Sequence, residues 1–225
     1  MPAMPAPGPP PMRERYRAHV RHEVKQAALR QLAESGPAAV SISAIGKQLG
    51  MSGPALYRYF ASRDELLTEL TIDAYHDLAD ALGAAAGRAA DRGARARLEE
   101  VARAYRSWAL AQPHRYRLLF GPPLPGYDAH AQRLVEAAHA SMAVLIEVLD
   151  GLGDPAAPPG PPLASQLSAW AREHGPEADP ATALRAVLAW SRLHGFVSLE
   201  IAGNYASMDI DPDQVFEIQL ATLTA

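Results

Sequence analysis

The 225-residue chain has no cysteine, which excludes disulfides and thiolate metal sites. Aromatic residues make up only 7% of it, and β-branched residues are sparse. Ala, Leu, Arg and Glu dominate instead, a balance that favours helices over strands, and no segment reads as a strand. No apolar run approaches the roughly 18 residues that a membrane span needs. The stretch Met1–Pro11 lacks the apolar core of a signal peptide. The expected location is therefore the cytoplasm, with no membrane partner. The motifs of common enzyme chemistries are also missing: there is no Gly-rich phosphate loop, no Gly-x-Ser-x-Gly and no His-Glu-x-x-His. His19 and His22 stand three apart, but no carboxylate or third His is placed to complete a metal site. No catalytic residue, metal or cofactor is expected.

What the chain does have is apolar content and an uneven charge. With 48% hydrophobic residues it can bury a substantial core. Its net charge of −4 is at first sight wrong for a nucleic-acid binder. Residues 1–70, however, carry nine Lys/Arg against six Asp/Glu, a net of +3, and the remainder carries −7. A basic head on an acidic body fits a head that meets phosphate and a body that does not.

Proline sets the boundaries. Six of the 20 prolines lie in the first 11 residues and five more between Pro155 and Pro162. Proline lacks an amide donor and disfavours helix in the residue before it. Residues 1–12 are thus expected to be a disordered arm and about 153–162 a flexible loop. Between the breaks the pattern is helical. Tyr16, Val20, Val24, Ala27, Ala28 and Leu32 recur at three- and four-residue steps, predicting a first helix over about 13–34. Short helices are expected near 43–49 and 53–60. A long one runs over 62–87, opened by the capping-box pattern Ser62-Arg63-Asp64-Glu65. Further helices are expected near 94–112, 114–120, 128–150, 163–174, 180–202 and 212–223. The fold class is all-α, with a three-helix domain over 13–61 and a helical bundle over 62–225.

The informative segment runs from Val40 to Phe60. Two helices of about two turns flank Gly50-Met51-Ser52. A tight turn between crossed helices needs a residue that tolerates positive φ, and Gly50 supplies it. Ser52 stands at the N-cap of the second helix; with Pro54 lacking an amide proton, its side chain is expected to bond the Ala55 amide. Ile42, Ile45, Leu49, Met51, Leu56 and Phe60 form the apolar faces. The outward residues, Gly53, Ala55, Tyr57 and Arg58, are small or polar. Small side chains let a helix N-terminus enter a major groove. Ala55 can touch a thymine methyl, and Arg58 can read a guanine edge or meet a phosphate. Ser41, Lys47, Tyr57, Tyr59 and Arg63 can reach the backbone on either side. With Ser52, Gly53 and Pro54 at the helix start, these ten residues form the candidate interface with a double-stranded DNA operator.

The span from about Val40 to Leu67 resembles the DNA-binding signature of the tetracycline-repressor (TetR) family. The matching residues are Ile45, Gly50, Ser52, Leu56-Tyr57-Arg58-Tyr59-Phe60, Ser62-Arg63 and Leu66. The family usually has Ala where Gly46 stands, Lys-Gly at Gly53-Pro54 and Lys at Arg63, so a common DNA contact is missing at Gly53. The resemblance implies that the second helix of the pair enters the major groove. It also implies that Tyr57 and Tyr59 contact phosphates and that Arg63 anchors the fourth helix on the backbone. The segments Trp108–Phe120 and Ala189–Phe196 further resemble the regulatory domain of a TetR subgroup marked by Trp, His and Gly, which implies a ligand-binding and dimerisation domain.

Read from its residues alone, the body leaves alternatives open. Tyr105, Trp108, Tyr116, Phe120 and Tyr127, with Trp190 and His194, are candidates to line a small-molecule effector site, since aromatic clefts between bundle helices are common ligand sites. The same residues can equally be core packing. The stripes Leu184, Val187, Leu188, Leu193, Val197, Leu199, Ile201 and Val215, Phe216, Ile218, Leu220, Leu223 are broader than one buried face needs. They predict a homodimer through a four-helix bundle, or else internal core. The function expected is a ligand-responsive transcriptional regulator, a repressor released from a near-palindromic operator. The alternative is a helical interaction module without sequence-specific DNA binding.

Overall fold

The computed structural model describes residues 11–121, 127, 132–152, 159–173 and 179–223. The expectations for a disordered arm over 1–10 and a loop over 153–158 lie outside the described residues, as do 128–131 at the start of the expected 128–150 helix. Among the described residues there are eleven α-helices and no strand. They are α1 (Met12–Ser35), α2 (Ile42–Gln48), α3 (Gly53–Tyr57), α4 (Arg63–Arg88), α5 (Gly93–Ala111), α6 (Pro113–Phe120), α7 (Gln132–Asp150), α8 (Pro161–Glu173), α9 (Pro180–Ile201), α10 (Asn204–Ser207) and α11 (Pro212–Leu223). The expected loop is shorter than its proline content implied, because Pro161 and Pro162 open α8. A proline in the first helical turn loses no bond there, since that amide is unpaired in any helix. The short α10 was not expected.

The chain forms two compact units. One holds the chain to Leu70 together with Tyr127; the other holds most of the remainder, so the division falls two turns inside α4. The head therefore extends past residue 61, and Leu66, Leu67 and Leu70 of α4 are buried.

In the head, α1 buries Val20, Val24, Ala27, Ala28 and Leu32, the expected stripe without Tyr16, which is 65% exposed. The first two turns of α1, Met12 to His19, are exposed, and the core begins at Val20. Ile42, Ile45, Leu56 and Phe60 complete the core, with Leu49 and Met51 half-buried. Arg21 closes it from above. Its guanidinium carbon lies 4.4 Å over the Phe60 ring, one nitrogen donates to the Tyr59 carbonyl, and another pairs with Glu69 at 3.1 Å.

In the body, α5, α7 and α9 supply most of the core, through Leu98, Val101 and Tyr105, through Leu145, Ile146 and Leu149, and through Leu193, Phe196 and Val197. Phe216 and Leu220 bring α11 onto it. Arg106 of α5 joins α9 to α11: it makes a two-pronged bond to Glu200, reaches Asp213, and lies 4.8 Å over the Phe216 ring. With both Arg106 and Glu200 largely removed from solvent, losing either partner strands the other's charge.

Candidate nucleic-acid interface and effector cavity

The turn between α2 and α3 is built from main-chain bonds. Gly50 has φ +65° and donates to the Lys47 carbonyl at 3.3 Å, while Met51 donates to the Gly46 carbonyl at 2.8 Å. This pair of bonds closes a helix end through a left-handed residue, which glycine adopts without strain. Gly46 has its own reason: a Cβ there would lie 3.3 Å from the Met51 oxygen and 3.5 Å from Leu56. Its absence lets the two helices close up.

The caps differ in part from the sequence expectation. Ser41 is the N-cap of α2, and its hydroxyl accepts from the Ala44 amide at 3.3 Å. Ser52 caps α3 without a side-chain bond. The Ala55 amide goes instead to the Ser52 main-chain carbonyl at 3.0 Å, a three-residue bond that tightens the first turn of α3. The Ser52 hydroxyl is thus exposed and free of that duty. At α4, the Glu65 amide donates to the Ser62 hydroxyl at 3.0 Å, and the Glu65 carboxylate accepts from the Ala61 amide, one residue before the expected return bond.

The ten candidate interface residues fall into two groups. Lys47, Ser52, Gly53, Pro54, Tyr57 and Arg58 are exposed, with Tyr57 at 54%, while Ala55 and Tyr59 are half-exposed. Together they occupy the outer side of α3 and its flanks. Ser41 and Arg63 are more occupied. Arg63 donates from Nε to the Val40 carbonyl at 3.0 Å and from a terminal nitrogen to the Pro37 carbonyl at 2.7 Å, with Asp64 3.6 Å away. Its evident structural work is to bind the start of α4 to the chain entering α2.

The sequence reading missed a second basic surface of the head. Met12, Arg13, Tyr16 and Arg17 of α1 line an open groove of about 500 Å³ with Arg58 and Tyr59. The signal was present: Arg13, Tyr16 and Arg17 share one helical face. Tyr16 had been assigned to the buried stripe because spacing alone cannot tell the last turn over a core from the first turn beyond it.

In the body a cavity of about 370 Å³ opens between α4, α5, α6, α7, α8 and α9. Of the seven aromatic or His candidates, Tyr105, Phe120 and Trp190 are on its wall. Tyr75, Trp170, Ser141, Met142 and Leu145 also line it and were not singled out from sequence. Trp108, Tyr116 and His194 stand behind the wall. The Trp108 indole donates to Asp77 at 2.9 Å, where Gln112 and Arg115 converge on the same carboxylate oxygen. Burial would raise the Asp77 pKa, but those donors outweigh it and hold the group below the usual range. Tyr127 belongs to the head unit, its hydroxyl 3.2 Å from that of Thr68.

His194 is the hinge of the aromatic cluster. Its ring stacks on Trp190 and Tyr116 and meets the edge of Phe120. Nδ1 and the Tyr116 hydroxyl share a hydrogen bond at 2.9 Å, and the same hydroxyl donates to the His194 carbonyl at 3.2 Å. Burial lowers the His194 pKa and raises those of Tyr105 and Tyr116, so all three stay neutral at pH 7.

The apolar stripes of α9 and α11 divide. Leu193, Val197, Phe216 and Leu220 are buried within the chain, and Val187 lines the cavity. Leu188 at 49%, Leu199 at 47% and Ile218 at 68% exposure remain outward. The outward face is narrower than the sequence implied because α9 packs against α5, α7, α8 and α11 at once.

Comparison with known proteins agrees with this layout. Residues 26–70 match the family model described as bacterial regulatory proteins, tetR family, and residues 98–223 match the tetracyclin repressor-like C-terminal domain. The chain is 37% identical over 218 residues to the HTH-type transcriptional regulator Rv1816 of Mycobacterium tuberculosis, covering 93% of this chain and 92% of that one. The crystal structure of the regulatory protein SCO4313 is similar with a TM-score of 0.78 and 44% identity, over 95% of this chain and 98% of that chain. The fold alone is shared, at 15% identity and a TM-score of 0.62, with the transcriptional regulator FadR of Bacillus subtilis, solved in complex with stearoyl-CoA, over 91% of this chain and 97% of that chain. No helix among the described residues is long and apolar enough to cross a membrane. With a head that presents a helix-turn-helix and a body that matches the family's second domain over more than half the chain, the protein belongs to the TetR family of DNA-binding transcriptional regulators.

Proposed function

We propose that the chain acts in the cytoplasm as a homodimeric repressor, not an enzyme, which leaves a near-palindromic operator when a small molecule fills the body cavity. The observation that carries this reading is the pairing of an exposed, small-residue recognition helix with a mostly apolar cavity in one chain. The outer residues of α3 read the major groove: Gly53 and Ala55 permit close approach, Arg58 addresses a base edge or phosphate, and Tyr57 and Tyr59 hold the backbone. The groove formed with Arg13, Tyr16 and Arg17 extends the phosphate contact. A second copy covers Leu188, Leu199 and Ile218 around the open side of Gly195, where a Cβ would meet nothing within 4 Å. This sets two heads about one DNA turn apart.

The coupling element is α4. Leu66, Leu67 and Leu70 serve the head, and Tyr75, Leu78 and Leu82 line the cavity from the same continuous helix. A ligand that prefers one position of α4 shifts the heads to a spacing that no longer fits the operator.

The test is fluorescence anisotropy with duplex DNA from upstream of this gene, against unrelated duplex, at several salt concentrations. Saturable binding to the upstream DNA alone, with a steep salt slope, supports the reading. Arg13→Ala with Arg17→Ala should lower that slope by about two, at about 0.9 per phosphate contact. Absence of binding to any duplex at low salt would favour a helical interaction module instead.

A further inference from the structure

We infer that the body cavity takes an uncharged, ring-bearing molecule that offers one hydrogen-bond-accepting oxygen to Tyr105. The inference rests on the cavity being the effector site and adds the chemistry of what enters it. The first argument is charge. Among the described residues, no Asp, Glu, Lys, Arg or His lies on the cavity wall. Four arginines of α5 and α6 are committed to carboxylates: Arg97 to Glu147, Arg103 to Glu217, Arg106 to Glu200 and Asp213, and Arg115 to Asp77. An ion brought into this space would lose its hydration and find no counter-charge on the described wall.

The second argument is shape. Five rings, from Tyr75, Tyr105, Phe120, Trp170 and Trp190, face aliphatic side chains such as Leu145 across a volume in the range that takes drug-sized molecules. Flat apolar faces of this kind pack best against another ring.

The third argument is the hydrogen-bond account. The Ser141 hydroxyl donates to the Ala138 carbonyl of its own helix at 3.0 Å. The Tyr116 hydroxyl is held by His194 twice, 2.9 Å from Nδ1 and 3.2 Å from the carbonyl oxygen, while Tyr105 stands 3.5 Å from the same Nδ1. In either tautomer of a neutral imidazole Nδ1 offers one lone pair or one proton, so it cannot serve both hydroxyls well. At 3.5 Å the Tyr105 contact is at the limit of a hydrogen bond. A ligand oxygen that accepts the Tyr105 proton improves on it.

Equilibrium dialysis of the full chain with four naphthalene probes tests the inference. They are 2-acetylnaphthalene, 2-ethylnaphthalene, 2-naphthoate and (naphthalen-2-ylmethyl)trimethylammonium. The acetyl compound should bind about 10-fold more tightly than the ethyl one, the scale of a single net hydrogen bond. The anion and the cation should bind at least ~100-fold more weakly than the acetyl compound. Tyr105→Phe should bring the acetyl compound to the level of the ethyl one. Equal or tighter binding of the anion or cation overturns the inference but leaves the cavity as a ligand site. Equal binding of the two neutral probes overturns the Tyr105 contact. No binding of any probe overturns the inference and the effector-site reading with it, whatever the outcome on DNA.

Discussion

The head and the body arrange apolar and polar side chains in opposite ways. The head fills its core, with Val24, Ile45, Leu56 and Phe60 inaccessible to solvent, and turns its working residues outward. The body leaves a cavity in its core and puts its candidate working residues, Tyr105, Phe120 and Trp190, around the inside. Packing density is what holds a short three-helix unit to one shape, so the head has no room to give up volume. The body surrounds its opening with long helices and ties them with partly buried charge pairs such as Arg106–Glu200. A rigid reader and a fillable sensor therefore need different cores.

The largest test of this contrast is Phe60→Ala. Deleting a ring that is fully buried and capped by Arg21 should cost about 3–5 kcal/mol. DNA binding should vanish in anisotropy, while neutral-probe binding in the body survives. Loss of both at one denaturation midpoint would show that the two units do not fold separately. Next is Arg63→Ala. It removes the bonds to the Val40 and Pro37 carbonyls and should destabilise the head by about 1.5–3 kcal/mol, read as a lower melting temperature in the absence of DNA. An unchanged melt with weaker DNA binding would instead make Arg63 a direct phosphate contact.

Tyr57→Ala should be smaller in stability and larger in function. The side chain is mostly exposed, so the fold should be intact while affinity for every duplex falls by about 10-fold. Substitution of Ala55 should change preference among duplexes. A Tyr57→Ala protein that binds like the parent would mean that α3 meets DNA by another face.

The smallest effect concerns His194. Burial keeps its pKa below the ordinary 6.5, so the unfolded state takes up the proton first as pH falls. The stabilisation is complete above the ordinary pKa and is lost as pH falls through the lowered folded-state value. His114, also lowered chiefly by burial, adds to the same window. The melting temperature should therefore drop as pH falls below the ordinary 6.5, and His194→Gln should flatten part of that drop. An unaltered pH profile in the variant would place the effect elsewhere.

Legibility differed between the two regions for a physical reason. The turn at Gly50, the α4 cap at Ser62 and the exposed face of α3 depend on neighbours within a few residues, and local geometry links residue type to position there. The Ser52 side-chain bond does not form, because two oxygens of Ser52 compete for the one Ala55 amide and the main-chain oxygen takes it. In the body, Trp108 and Trp190 look alike in sequence. One donates to Asp77 behind the wall, and the other lines the cavity. Nothing local separates them.

The sequence by itself determined the helical class, the helix-turn-helix, the family signature and the contrast between a basic head and an acidic body. The signature was legible as a resemblance; the others follow from composition, period or spacing, which are properties of neighbouring residues. Only the tertiary structure decided which aromatics face a cavity, that the described residues of its wall carry no ionised group, that Tyr16 lies outside the core, and which leucines of α9 remain uncovered. Those are matters of which helix packs against which, and residues as far apart as Tyr105 and His194 meet only when the whole bundle has closed.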